Sequence, residues 1–229
     1  MKNLRLSLAL FCALSCVITP KLVFAQNGLA KFTLPTNAYK VGEIIAVYSK
    51  PEKVTIVWNP KLSFDDVSTV DIQESRVKTG EAKIKAKLDS VIKANVGANF
   101  SYKVEVNYTN ARAQQPDGAT LMAGLKKAWK APENADAVAY VRQVKNTKGV
   151  IRRSTHLDVI EMIYIADINA EITDSKGANI NLDVALLQKI NASLGGVLAF
   201  SKTGKAKGLS LPVGYQTNPN MVDMLINSK

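Results

Sequence analysis

The chain is short of the residues that carry most covalent, redox and metal chemistry. Among 229 residues there are two cysteines and one histidine. Both cysteines, Cys12 and Cys16, fall within the first 25 residues. The chain from residue 26 onward has no disulfide, no thiol nucleophile and no thiolate metal site, so its stability rests on its core. Phosphate-binding signatures are missing too. No Gly-x-Gly-x-x-Gly follows a strand pattern, and no glycine-rich loop ends in Gly-Lys-Ser/Thr. The adjacent acidic pair Asp65-Asp66 lacks the spacing of a calcium loop and reads as a cap after Phe64. The expectation is therefore no metal and no cofactor.

Long apolar runs are equally scarce near the N-terminus, with one exception. Lys2 and Arg5 precede an apolar stretch from Leu6 to Thr19, which Pro20 and Lys21 interrupt. It is too short to span a bilayer and reads as a secretory leader, with Val23 and Ala25 at the positions a signal peptidase recognises. Cleavage after Ala25 is the expected event, giving a periplasmic or secreted protein. The alternative takes "ALSC", Ala13 to Cys16, as a lipoprotein box that anchors the chain through Cys16. Removing 25 residues from 229 leaves 204, enough for one good core or two small ones.

Acidic residues are outnumbered over the chain as a whole. Taking Lys2, Arg5 and Lys21 from the 30 basic residues leaves 27 against 19 acidic ones, a net charge of +8. A surface of that sign favours anionic partners, among them lipid headgroups and acidic polysaccharides. Nucleic acid is disfavoured, because the aromatic-basic neighbours Tyr102-Lys103 and Tyr140/Arg142 come with no recognition motif.

The hydrophobic pattern predicts α+β: a twisted, mostly antiparallel sheet with two or three packed helices. Ile44 to Tyr48 and Val54 to Trp58 read as a hairpin around Lys50-Pro51-Glu52, ended by Asn59-Pro60. "STVDIQESRV" reads as a third extended segment. In "EAKIKAKLDSVIKANVGA", Ile84, Leu88, Val91 and Ile92 share one helical face, with Gly97 as the stop. Tyr102 to Tyr108 alternates cleanly, with Lys103, Glu105 and Asn107 on its polar side. The polar stretch 111–119 reads as a linker or long loop. "TLMAGLKKAWKAP" reads as a helix capped by Thr120 and followed by Pro132.

The second half begins with "AVAYVRQVKNTKGVIRRSTH", a hairpin pattern with a turn at "NTKG". The β-branched run "LDVIEMIYIADINAEI" predicts a buried strand. A helix comes next, with Leu182, Leu186, Ile190 and Leu194 on one face and Gly195 as stop. Short strands "VLAFSK" and "GLSLPVGYQ" then flank the basic turn "KTGKAKG", and a terminal helical turn is capped at Asn220. The segments 91–100 and 189–200 echo each other at an offset of 98, matching Leu88 to Leu186, Ile92 to Ile190 and Gly97 to Gly195. Two readings stay open: a duplication of two halves, about 40–110 and 135–215, or convergence of two amphipathic helices within one domain spanning 26–229.

Candidate site residues are few. Lys202, Lys205 and Lys207, with Arg152 and Arg153, form the best anion-binding set, since glycine amides and ammonium groups can hold an anion together. His156 is the lone candidate general base. On a strand it shares a face with Asp158 and Ser154, a local row that does not converge as a triad must.

The order of the second half also carries a likeness. A hairpin, an apolar run, a glycine-bounded amphipathic segment and a basic turn leading into "LSLPVGY" together resemble the last part of gasdermin pore-forming domains. The likeness covers about half the chain. It implies a β-rich, lipid-binding pore former and transfers no site residue. The residues themselves favour a non-enzymatic binding protein of the cell envelope, whose partner is an envelope protein, an anionic lipid or a polysaccharide. A pore former and an enzyme built on His156 are the alternatives.

Overall fold

The computed structural model describes residues 30–36, 38–49, 52–65, 67–96, 101–146 and 155–228. The leader with Cys12 and Cys16, the Gly97 stop, Arg152, Arg153 and the "NTKG" turn beyond Asn146 lie outside the described residues. Within them the fold is α+β, with seven strands in one antiparallel sheet and five α-helices, more than the two or three expected.

The sheet is organised around β6 (Thr155–Asp174), the β-branched run, which is 20 residues long. One edge of β6 pairs with β7 (Lys205–Asn218). Its other edge is shared end to end. β2 (Ile44–Ser49) takes the first five residues, and β5 (Tyr102–Pro116) takes Ile163 to Asp174. The remaining strands extend this frame: β3 (Glu52–Trp58) from β2 in the expected hairpin, β1 (Ala30–Phe32) from β7, and β4 (Val67–Asp71) from the far end of β5.

A strand this long keeps one side in the core only if irregularities correct its twist and register. The register slips at Ile160/Met162. Leu157 and Val159 face the helical layer before it, and Tyr164, Ala166, Ile168, Ala170 and Ile172 do so after it. A second irregularity is pinned from both sides by one carboxylate. Asp167 accepts the Asn110 side-chain amide at 2.7 Å and the Ser210 backbone N–H at 2.7 Å. Asn110 and Ser210 both lie in the left-handed region, at φ 51° and 49°, where short polar side chains are tolerated.

Two helical clusters cover this side. Helix α1 (Glu74–Asn95) and helix α4 (Val184–Ser193) bury Ile84, Leu88, Ile92, Leu186 and Ile190 against β5, β6 and β7. The segment opens with a strand-like alternation, Ala82, Ile84, Ala86 and Leu88 against Lys83, Lys85 and Lys87, but the 3.6-residue period prevails, because the helix turns Val91 as well as Ile92 toward the core, where a strand would put these neighbours on opposite sides. Fully burying each such side chain contributes about 1.5–3 kcal/mol before chain entropy is set against it. Gly195 comes just after the end of α4 at φ 71°, the left-handed stop that the sequence predicts. Helices α2 (Gly118–Lys130), α3 (Ala135–Asn146) and α5 (Pro219–Ile226) cover the other half over Ile44, Ala46, Trp58, Leu157 and Val159.

Several expectations are corrected. Residues 111–116 continue β5, and Gly118 opens α2, so 111–119 is neither a linker nor a long loop. The first arm of the predicted hairpin is helix α3; Val138 and Val141 are buried three residues apart, a helical spacing that also fits into a β-rich pattern. At the offset of 98, strand β2 therefore falls opposite residues of helix α3. "STVDIQESRV" splits into β4 and the start of α1. "VLAFSK" contributes one isolated bridge, Phe200 to Ala206, and Lys205 and Lys207 belong to β7 rather than to a turn. The caps also move. Asp117, not Thr120, caps α2 by accepting the Thr120 N–H at 3.0 Å. Asn218, not Asn220, caps α5 by accepting the Asn220 N–H at 3.1 Å.

Candidate binding site

The side of β5, β6 and β7 away from α1 and α4 divides in two: Ile163, Ile165 and Tyr215 join Ile45, Val47 and Ile160 in a buried apolar cluster, and the stretch beyond them is polar. The alternation seen in the sequence of β5 puts Lys103, Glu105 and Asn107 there, while Val104, Val106 and Tyr108 are buried. Register then builds rows across three strands. Glu105 stands beside Glu171, and Glu171 beside Lys205. One step along, Asn107 stands beside Asn169, and Asn169 beside Lys207.

These two rows floor a cleft of about 570 Å³, walled by Phe200 and Ser201 from the connection that leads out of α4. Its charges are mixed. Lys205 Nζ lies 3.1 Å from Glu171 Oε1. Glu105 pairs with Lys103, whose hydrogen bond holds the Glu105 carboxyl below its usual range. The adjacent Asp167 is also held low, first by the Asn110 amide and then by the Ser210 N–H. Lys207 and the two asparagine amides complete the floor. The cleft therefore offers the side-chain amides of Asn107 and Asn169, the Ser201 hydroxyl, and the cations Lys205 and Lys207 set among the carboxylates Glu105 and Glu171.

Of the anion-binding set, the fold brings Lys205 and Lys207 together in the cleft. Lys202 is exposed on the turn before β7, outside the lining, and Arg152 and Arg153 are not described. The sequence alone does not single out Glu105, Asn107, Asn169 and Glu171 as a site. Alternation assigns their faces, but only the pairing register, set by residues about 65 positions apart, makes them neighbours.

His156 shares a face with Asp158, as its strand spacing predicts. Its half-exposed ring carries Nε2 3.4 Å from Asp158 Oδ2, and that carboxylate is fully buried. Thr217 Oγ1 donates to the same oxygen at 2.7 Å. The arrangement places an acid beneath a base, with no described nucleophile on the solvent side of the ring. Among the described residues, no group of three or more His, Cys, Asp or Glu side chains is placed to hold a metal ion.

No family model matches the chain, and no curated protein matches it. A solved bacterial gasdermin from Bradyrhizobium tropiciagri is similar over 81% of this chain and 80% of its own, at 9% identity and a TM-score of 0.35. A likeness that slight carries no argument about fold or function.

Proposed function

We propose that the protein is exported to the cell envelope and binds an acidic polysaccharide there, without chemical turnover. The observation that carries this reading is the cleft of Glu105, Asn107, Asn169, Glu171, Lys205 and Lys207. Paired asparagine amides both donate and accept, which suits sugar hydroxyls. A thin scatter of lysines suits a polymer with spaced carboxylates better than a dense polyanion. The leader predicted at residues 1–25 supports the location, and the +8 charge of the remaining chain supports the sign of the partner.

The test is binding of the purified chain to polygalacturonate and to neutral dextran at low and high salt. Saturable binding to the polyuronate, weakened severalfold by Lys205→Ala/Lys207→Ala but not by Lys126→Ala/Lys127→Ala on α2, supports the cleft. Equal loss in both double variants reduces the interaction to net charge and contradicts it.

A second reading, a lipid-binding pore former, has one observation in its favour. The antiparallel neighbours β5, β6 and β7 are 15, 20 and 14 residues long. A tilted strand needs about 9–11 residues to cross the hydrocarbon core. Among the described residues no helix is long and apolar enough to cross a membrane. This reading predicts release of dye trapped in phosphatidylglycerol vesicles, and vesicles that stay sealed at every protein concentration dispose of it.

A further inference from the structure

A separate cavity of about 200 Å³ lies where the start of α1 crosses the helical side of the sheet. Val70 and Met162 form apolar wall, Arg76, Tyr164 and Gln216 supply the polar groups, and Asp71 stands at the rim. None of these residues belongs to the polar cleft on the opposite side.

A chain of hydrogen bonds runs from the cavity into the sheet. Arg76 Nη1 donates to the Tyr164 hydroxyl at 2.8 Å. That hydroxyl donates to Gln216 Oε1 at 3.0 Å. Gln216 Nε2 donates to Glu161 Oε1 at 3.0 Å, and Asn218 Nδ2 to Glu161 Oε2 at 3.1 Å. The direction is fixed from the far end. Buried Glu161, as a carboxylate, can only accept, so Gln216 turns its nitrogen to it and its oxygen to Tyr164. The Tyr164 hydroxyl then gives its proton to Gln216 and offers Arg76 a neutral oxygen.

The half-buried guanidinium is therefore oriented but not neutralised. Among the described residues no carboxylate makes an ion pair with Arg76, and its one side-chain hydrogen bond is to Tyr164. Most of its N–H donors stay available, in the planar fork that receives a carboxylate through two parallel bonds. The volume is below the range of drug-sized pockets, which suits a ligand of a few carbon atoms. Exposed Asp71, opposite Arg112 in the β4–β5 register, places a negative charge at the mouth. That charge disfavours phosphate and dicarboxylates.

We propose that this cavity binds a small aliphatic monocarboxylate, its carboxylate on Arg76 and its tail against Val70 and Met162. The test is an NMR titration of the purified chain, labelled at methionine methyls, with butyrate, succinate and inorganic phosphate. The expected result is a saturable shift of the Met162 methyl with butyrate, and weaker effects from the other two. Arg76→Gln should weaken butyrate binding about tenfold or more, the loss of a charge-assisted pair. An unmoved Met162 methyl at tens of millimolar butyrate overturns the proposal, and so does equal affinity in Arg76→Gln. Should Arg76→Gln not fold, Arg76→Lys replaces it: a point charge without the fork should bind several times more weakly, and unchanged affinity overturns the proposal. Binding of polygalacturonate to the opposite cleft is read separately, so either assignment can fail without the other.

Discussion

His156 Nε2 stands 3.4 Å from Oδ2 of Asp158, a half-exposed ring above a carboxylate with no exposed surface. The same oxygen accepts from Thr217, while Oδ1 has no hydrogen-bond partner among the described residues. Asp158 is thus a buried acid held through one oxygen, by Thr217 at 2.7 Å and His156 at 3.4 Å. Buried charge is tolerated only while its few partners remain, so Thr217→Val, which keeps the shape, should cost about 1.5–3 kcal/mol. Urea unfolding checks this, and a change below about 0.5 kcal/mol would show that His156 alone suffices.

Asp167 provides a prediction in pH. Its folded carboxyl gives up its proton more readily than the unfolded one, because Asn110 and Ser210 hydrogen-bond to the charged form. In that window the unfolded state binds more protons, so stability rises with pH. The contribution is fully present above the ordinary carboxylate range and is lost as pH falls through the depressed folded value. Asp167→Asn should therefore lower Tm at neutral pH, and the gap from the unmutated chain should close on acidification. A gap that does not change with pH would contradict this.

Gly80 sets the approach of α1 to the sheet. A Cβ there would lie 2.7 Å from Tyr108 Cε2 and 2.9 Å from Phe32 Cδ1. Neither ring is free to yield, since both are buried and Phe32 stacks on Tyr164 with centroids 4.9 Å apart. Alanine gains about 1 kcal/mol of helix propensity. Overpacking costs about 1–3 kcal/mol. Gly80→Ala should be net destabilising in chemical unfolding, and a stabilised variant would show that α1 shifts outward at little cost.

The outer edge of β5 between Tyr102 and Thr109 has no strand partner among the described residues. Glu81 of α1 guards it, accepting the Tyr108 N–H at 2.7 Å. Open edges recruit other strands unless they are blunted. Glu81→Ala should therefore increase concentration-dependent self-association in sedimentation, and an unchanged sedimentation profile would show that α1 shields the edge without this bond.

What the sequence shows of this fold, and what it hides, divides along local and non-local lines. Ile84, Leu88 and Ile92 reveal α1, and Tyr102 to Tyr108 reveals β5, because each pattern is complete within one element. Residues 137–144 mislead, since Val138, Val141 and Val144 favour strands by type and become helical through burial under Trp58 and Trp129. The caps at Asp117 and Asn218 sit slightly upstream of the expected Thr120 and Asn220, because neighbouring polar residues compete for the same role. Of the two cavities, half of one cleft is visible in sequence as Lys205 and Lys207. Nothing local links Arg76, Tyr164 and Gln216, which meet only when β6 and β7 align and α1 packs over them.

The most direct measurement is polygalacturonate binding by the purified chain before and after Asn107→Ala/Asn169→Ala, with Lys205 and Lys207 left intact. If the cleft reads sugar hydroxyls as well as charge, affinity falls about tenfold at fixed salt while net charge is unchanged. Unaltered affinity would mean that the two asparagines, and with them the polar rows of the open face, are not the binding surface.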